Sequence, residues 1–238
     1  EEMLHLIRLM AEQGIKKVRI TGGEPFVRKN LLGFIRRLVR IPGIESVPMT
    51  TNGTLTRRHL DELASLGIRS FKLIIDSLYR QRFHLITRRD YLPEVLACLY
   101  DMIDRGLDVK LIAVVMNDKN IADILPMVEL TRERDIAVRF IEEMPFNGSW
   151  PHSTQLEWNY LKILDHISNA HPQIEKLVDA PFSTSRNYRI AGFRGSFGII
   201  PAYSRSFCGT CNRLRMTPQG LIKTCLYDRG VFNLRDLL

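Results

Sequence analysis

A chain of 238 residues, 45% hydrophobic and 25% charged, can bury a core and fits one large globular domain. No run approaches the ~20 apolar residues of a membrane-spanning helix, the first residues lack the flanks of a secretory signal, and four cysteines are too few for a disulfide scaffold. The 34 Lys and Arg against 26 Asp and Glu, a net charge of +8, suit nucleic acid, an acidic membrane surface or a polyanionic small molecule, and charge alone does not choose among them.

The chain opens at Glu1, without a methionine and already inside a helical pattern, so an upstream segment is expected. Apolar residues recur at helical spacing over 1–13, 30–40, 56–66, 90–105 and 120–134. Between them lie runs of strand character: Lys17 to Ile20, Val47 to Thr50, Ser70 to Ile75, Asp108 to Met116 and Ile136 to Ile141. This alternation predicts an α/β fold of successive βα units around a parallel sheet, closed into a barrel or left open.

In such folds chemistry sits just after the strands. Those loops are polar: Thr21-Gly22-Gly23-Glu24-Pro25, Thr50-Thr51-Asn52-Gly53, Asp76-Ser77, Asn117-Asp118 and Glu142-Glu143-Met144-Pro145. After Pro145 the alternation stops, which divides the chain into a βα region, 1–145, and an appended α+β region, 146–238. The second region reads as a turn-rich crossing at Asn147 to His152, an amphipathic helix from Leu156 to Ile167, two strands within Tyr188 to Tyr203 around Gly192-Phe193-Arg194-Gly195, and a hairpin from Arg213 to Leu226 turning at Thr217-Pro218-Gln219-Gly220.

Several strands carry one cation between two apolar residues: Arg19, Lys72, Lys110 and Arg139. Strand alternation points each away from an aliphatic layer. If that face lines a lumen, the enclosed charge calls for internal carboxylates, with Glu24, Asp76 and Glu142 as candidates, or for a multiply charged ligand; a solvated face is the alternative. The paired glycines of Thr21-Gly22-Gly23-Glu24-Pro25 let backbone approach a ligand, with Glu24 placed to hold an ammonium group, although a plain tight turn fits the same string.

The sharpest local signal is Cys208-Gly209-Thr210-Cys211 with Cys225, a C-x2-C-x13-C arrangement beside Arg213 and Arg215. Two thiolates at that spacing clasp one metal centre and the hairpin returns a third. A closed zinc site wants a fourth ligand, and no histidine or cysteine follows Cys225; three thiolates suit an iron–sulfur cluster with one open iron, and zinc stays as the rival. Cys98 falls on the apolar face of a helix and reads as core.

Taken together, Gly22-Gly23-Glu24-Pro25, Thr50-Thr51-Asn52-Gly53, Arg139-Phe140-Ile141-Glu142-Glu143-Met144-Pro145 and Phe207-Cys208-Gly209-Thr210-Cys211-Asn212-Arg213-Leu214-Arg215 resemble, in order and spacing, the radical S-adenosylmethionine GTP 3′,8-cyclases of molybdenum-cofactor biosynthesis. The resemblance implies a partial (β/α)6-type radical SAM barrel lacking its first strand, followed by a cluster-binding region. It implies that Gly22, Gly23, Glu24 and Met144 contact S-adenosylmethionine, and that Arg19, Thr50, Lys110, Arg213, Leu214 and Arg215 bind GTP; the lumen argument adds Arg139. It makes Cys208, Cys211 and Cys225 the ligands of a [4Fe–4S] cluster whose open iron holds guanine.

The implied reaction cleaves S-adenosylmethionine reductively at another [4Fe–4S] cluster, abstracts hydrogen from C3′ of GTP and closes C3′ onto C8. That other cluster's three-cysteine motif is expected upstream of position 1, and a glycine-tipped tail is expected beyond Leu238. Ile74 stands where the family usually has a serine that contacts S-adenosylmethionine. Cyclic pyranopterin monophosphate synthase would act next, in the cytoplasm or, in a eukaryote, the mitochondrial matrix; a homodimer stays open. The alternatives are a degenerate homologue, a two-cluster enzyme acting on a substrate such as a peptide, and a zinc-stabilised nucleic-acid module, against which the cations set inside strands rather than on an exposed stripe argue.

Overall fold

Strand and helix alternate because apolar residues switch between a period of two and a period near four along the chain. The computed structural model describes residues 1–144, 156–204, 209, 211–226 and 228–237; the expected crossing at 147–152 and Cys208 lie outside these. Helices α1 (Glu2–Glu12), α2 (Leu31–Leu38), α3 (Leu60–Ser65), α4 (Arg80–Thr87), α5 (Leu92–Asp104), α6 (Ile124–Glu129) and α7 (Tyr160–Ala170) accompany strands β1 (Met49–Thr51), β2 (Ser70–Ile74), β3 (Asp108–Val115), β4 (Ala137–Glu142), β5 (Ile174–Lys176), β6 (Arg186–Ile190) and β7 (Ser196–Ile200). The short strands β8 (Arg215–Met216), β9 (Leu221–Lys223) and β10 (Phe232–Asn233) form a separate antiparallel sheet.

The main sheet runs β1-β2-β3-β4-β7-β6-β5. Pairing from β1 through β4 to β7 is parallel, and β6 and β5 add on antiparallel. The two strands expected in an appended region thus continue the sheet of the βα units, with β7 pairing directly against β4. Periodicity could not show this, because partner choice is a tertiary property.

Alternation gives the sheet two unlike faces. Phe71 and Leu73 of β2, Val109, Leu111, Ala113 and Val115 of β3, Val138 and Phe140 of β4, and Phe197 and Ile199 of β7 are buried in the core. Helices close that face: α5 contributes Leu92, Val95, Cys98, Leu99 and Met102 at helical spacing, and α2 contributes Leu31, Ile35 and Leu38. Burial of this kind stabilises by roughly 1.5–3 kcal/mol per large side chain.

Three expectations shift. Lys17 to Ile20 makes only isolated bridges, Lys17 to Ser46 and Ile20 to Met49. Val18 and Ile20 donate to Ser46 and Pro48, and Thr50 donates to Ile20, but Pro48 has no N–H to return to this edge. The expected helix at Leu156 begins later, at Tyr160, where the Asn159 side chain accepts from Lys162 N at 3.1 Å. Helix α4 was not signalled, since Arg80, Gln81 and Arg82 mask its period and Phe83 is its buried residue; an ion pair from Arg80 to Asp90 ties it down, and Arg88 ends it at φ 56°.

Candidate functional site

The opposite face of the same strands carries the candidate residues in rows fixed by register. Thr50 pairs with Lys72, Lys72 with Lys110, Lys110 with Ala137 and Ala137 with Ser196. One step towards the carboxyl ends, Ile74 pairs with Ile112, Ile112 with Arg139 and Arg139 with Gly198. Arg213, just before β8, lies close enough to Arg19, at the sheet edge, to disfavour the charge of Arg19. Three strands and two flanking segments therefore bring Arg19, Lys72, Lys110, Arg139 and Arg213 to one face of the sheet.

Carboxylates answer little of this charge. Asp108 accepts from Lys110 Nζ and Ser70 Oγ, at 3.1 and 2.8 Å; burial works against its ionisation, but these donors hold its pKa below the ordinary value. Asp76 accepts from Val114 N at 2.8 Å, and burial raises its pKa. Glu142, a candidate counter-charge by sequence, is instead fully buried and occupied. It accepts from Tyr160 N at 2.6 Å and from Tyr203 N and Ser204 N at 2.9 Å each, so it anchors the start of α7 and the chain after β7. Glu24 is likewise engaged, accepting at 2.8 Å from both Thr51 Oγ1 and Asn52 N.

The cations feel the deficit. Burial, then Arg19, Arg213, Lys110 and Lys17, bring the Lys72 ammonium down to about 7. Burial brings Arg139 down to about 10, against the pull of Asp179 and Asp108. Arg19 Nη1 is buried with no hydrogen-bond partner among the described residues, as are Ser185 Oγ and Asn187 Oδ1. These last two flank Arg139: a Cβ on Gly198 would lie 2.5 Å from Ser185 Oγ, 2.7 Å from Asn187 Oδ1 and 2.9 Å from Arg139 Cδ. Gly198 is bare so that the Arg139 side chain can cross β7.

At the carboxyl end of the sheet, Gly22 and Gly23 are exposed after the edge segment, Gly22 at φ 153°, a value side chains other than glycine's rarely permit. Ile74 is 38% exposed at the end of β2, and Met144 is half-buried after β4. Gly22, Gly23 and Met144 follow the carboxyl ends of their segments, and Ile74 lies in the register row that holds Arg139. Cys211 and Cys225 are exposed free thiols. They leave the hairpin from the same end, because β8 and β9 pair Arg215 with Lys223. Arg213 donates to Thr184 Oγ1 at 3.2 Å, and Leu214 is 54% exposed.

Comparison with known proteins accounts for both halves of this arrangement. Residues 1–131 match the radical SAM superfamily and residues 136–238 match "Molybdenum Cofactor Synthesis C". A GTP 3′,8-cyclase of Syntrophomonas wolfei is 36% identical over 244 residues, an overlap spanning 100% of this chain and 73% of that protein. The chain belongs to the GTP 3′,8-cyclase family.

Molybdenum cofactor biosynthesis protein 1 of Drosophila melanogaster is 40% identical over the full chain, which spans 42% of that longer protein. Among solved structures, Streptococcus suis SuiB superposes with a TM-score of 0.65 at 11% identity, over 98% of this chain and 56% of that one. That likeness carries the radical SAM fold alone. Among the described residues no helix is long and apolar enough to cross a membrane.

The family implies a cluster in the second half, and the donor chemistry fits. Two free, exposed thiols flank one end of a hairpin, with Arg213 and Arg215 close to Cys211 in sequence. Among the described residues no three metal-ligating side chains are grouped, Cys208 lying outside them. Cys98 is no ligand: it is buried in α5, and burial, with Asp101 beside it, pushes its thiol up to about 12. Ser185, Asn187 and Gly198 were missed by sequence, since none carries a motif; the Ser196 to Ile200 strand signal located Gly198 but not its partner.

Proposed function

We propose that this chain is the substrate-binding body of a GTP 3′,8-cyclase, the enzyme that opens molybdopterin biosynthesis by joining C3′ of GTP to its C8. The observation that carries this reading is the convergence of Arg19, Lys72, Lys110, Arg139 and Arg213 on one face of the sheet, with Asp108 as its one ion-paired carboxylate among the described residues. A triphosphate brings several negative charges and many acceptor oxygens, and cationic side chains bind these more strongly than neutral donors do.

In this reading Arg19, Lys110 and Arg139 hold the phosphates, Thr50 adds a hydroxyl from the same face, and the Arg213-Leu214-Arg215 segment holds the nucleoside near the hairpin. Backbone groups at Gly22 and Gly23, with Glu24, bind the amino-acid end of S-adenosylmethionine, and Met144 packs beside it. Glu24 retains lone pairs for an ammonium group, and its bonds to Thr51 and Asn52 fix its aim. Ile74 offers an apolar surface instead of a hydroxyl, which weakens cofactor binding without displacing it.

Cys208, Cys211 and Cys225 would hold a [4Fe–4S] cluster, which when bound would supply Lewis-acid binding of the guanine base. The chain's own contribution is to fix the ribose relative to the cofactor and to keep water from the reacting carbons. The product then passes to cyclic pyranopterin monophosphate synthase.

The test is Mössbauer spectroscopy of the full-length protein reconstituted anaerobically, with and without GTP. One iron of the cluster held by these cysteines is expected to change on adding GTP. Zinc at the three cysteines, or a cluster indifferent to GTP, would contradict the reading.

A further inference from the structure

Lys72 has the central place in the cationic row and no role in the reading above. It sits on β2 with Thr50 of β1 on one side and Lys110 of β3 on the other, in exact register. The groups facing it are Lys17 and Arg19 from the edge segment, Lys110 and Asp108 from β3, and Arg213 from the segment before β8. Asp108 is already engaged by Lys110 and Ser70, and Lys72 has no ion pair among the described residues.

A lysine on a solvated surface would swing its ammonium group into water. This one is half-buried on the sheet, with four cations close enough to oppose its charge, a placement that costs free energy in the ligand-free protein. Next to it, Arg19 leaves a buried Nη1 without a hydrogen-bond partner among the described residues. Two neighbouring unanswered donors from different elements point to one missing group, and that group is anionic and rich in acceptors.

We propose that Lys72 is a further anion-binding residue of this face of the sheet, gripping the polyphosphate of the nucleotide together with Arg19, Lys110 and Arg213. The inference rests on the polyanion part of the function proposed above and needs nothing of the base. It also gives the site a proton link. In the free protein burial and the surrounding cations hold the lysine at about 7, so above neutral pH it is largely neutral. A bound polyanion favours its charged form, so binding takes up a proton and weakens as pH rises above 7, where the triphosphate itself is already ionised.

The experiment is calorimetric titration of the full-length protein with inorganic tripolyphosphate, GTP and guanosine at pH 8, in two buffers of different ionisation enthalpy, for wild type, Lys72→Gln and Lys72→Arg. Wild type is expected to bind tripolyphosphate, and to bind GTP, whose phosphates are already ionised at this pH, with uptake of about one proton. Lys72→Gln is expected to lose about tenfold or more in tripolyphosphate and GTP affinity, with guanosine unchanged. Lys72→Arg, whose guanidinium stays charged, is expected to retain affinity and to bind GTP with no proton uptake.

Undiminished tripolyphosphate binding by Lys72→Gln, an equal loss for guanosine, or no tripolyphosphate binding by wild type would overturn the proposal. The GTP reading fails separately: a wild-type protein that takes tripolyphosphate but not GTP sinks that reading and leaves Lys72 in place. Lys72→Arg as weak as Lys72→Gln, at wild-type thermal stability, would also overturn the proposal, since it would show that charge is not what the site needs.

Discussion

The buried carboxylates and the cations of this protein are treated in opposite ways. Glu142 accepts from three backbone N–H groups and a hydroxyl, and Asp123, 1% exposed, accepts from Ser77, Leu78 N and Arg82. Their needs are met within the chain, and they fix loops to strands. Arg139 is buried and Arg19 and Lys72 are half-buried, yet Arg19 Nη1 has no hydrogen-bond partner among the described residues and burial lowers the pKa of all three. A buried polar group that is satisfied belongs to the architecture; one that stays unsatisfied at a cost is reserved for something that arrives.

Mutations sharpen this contrast. Glu142→Ala strips the acceptor from three backbone donors and is expected to cost on the order of 3–5 kcal/mol of stability, measured by urea denaturation of the full-length protein. Arg139→Gln is expected to do the reverse: GTP affinity falls about tenfold to a hundredfold, while denaturation shows no loss of stability because a charge with no ion pair among the described residues, held by a bond to the Val138 carbonyl at 2.9 Å, has left the interior. A stability loss for Arg139→Gln matching that of Glu142→Ala would erase the distinction. Gly198→Ala pushes a methyl group into Arg139, Ser185 and Asn187, with an expected cost of about 1 kcal/mol or more and weaker GTP binding in the same calorimetry.

The pH dependence of stability carries the same signature. Lys72 is lowered in the folded protein, so between pH 7 and the ordinary lysine range the unfolded chain binds more protons, and stability rises with pH through that window. Ligand-free wild type should gain on the order of 1 kcal/mol relative to Lys72→Met between pH 7 and 9, and saturating tripolyphosphate should abolish the difference. At the small end, Glu45→Gln breaks an exposed pair with Lys16, at 2.9 Å and with side chains 64% and 68% exposed; thermal melts should shift by less than about 0.5 kcal/mol.

Much of this was legible in the residues. The period of the strands placed Arg19, Lys72, Lys110 and Arg139 on one face because alternation is local geometry, and β2 to β4 keep that alternation without a bulge. The cysteine spacing around the Thr217 to Gly220 turn likewise foresaw two thiols at one end of a hairpin. Partner choice was not legible. Nothing in Ser196 to Ile200 announces that β7 lies parallel to β4, so Gly198 beneath Arg139 could not be foreseen, nor could Ser185 and Asn187 beside it. Glu142 read as a counter-charge because its loop is polar, and only the packing of α7 and the segment after β7 shows that its acceptors are spent. Helix α4 hid because an ion pair and a single buried phenylalanine hold it, not an apolar stripe.

The central claim, that the unanswered cations await a nucleotide polyphosphate, is tested most directly by comparing the affinities of GTP and guanosine for the full-length protein and for an Arg19→Gln, Arg139→Gln double variant. Wild type is expected to bind GTP about a hundredfold or more tightly than guanosine, and the double variant to lose most of that preference while keeping its affinity for guanosine. Equal affinities in the wild type, or a preference for GTP that survives both substitutions, would contradict the account.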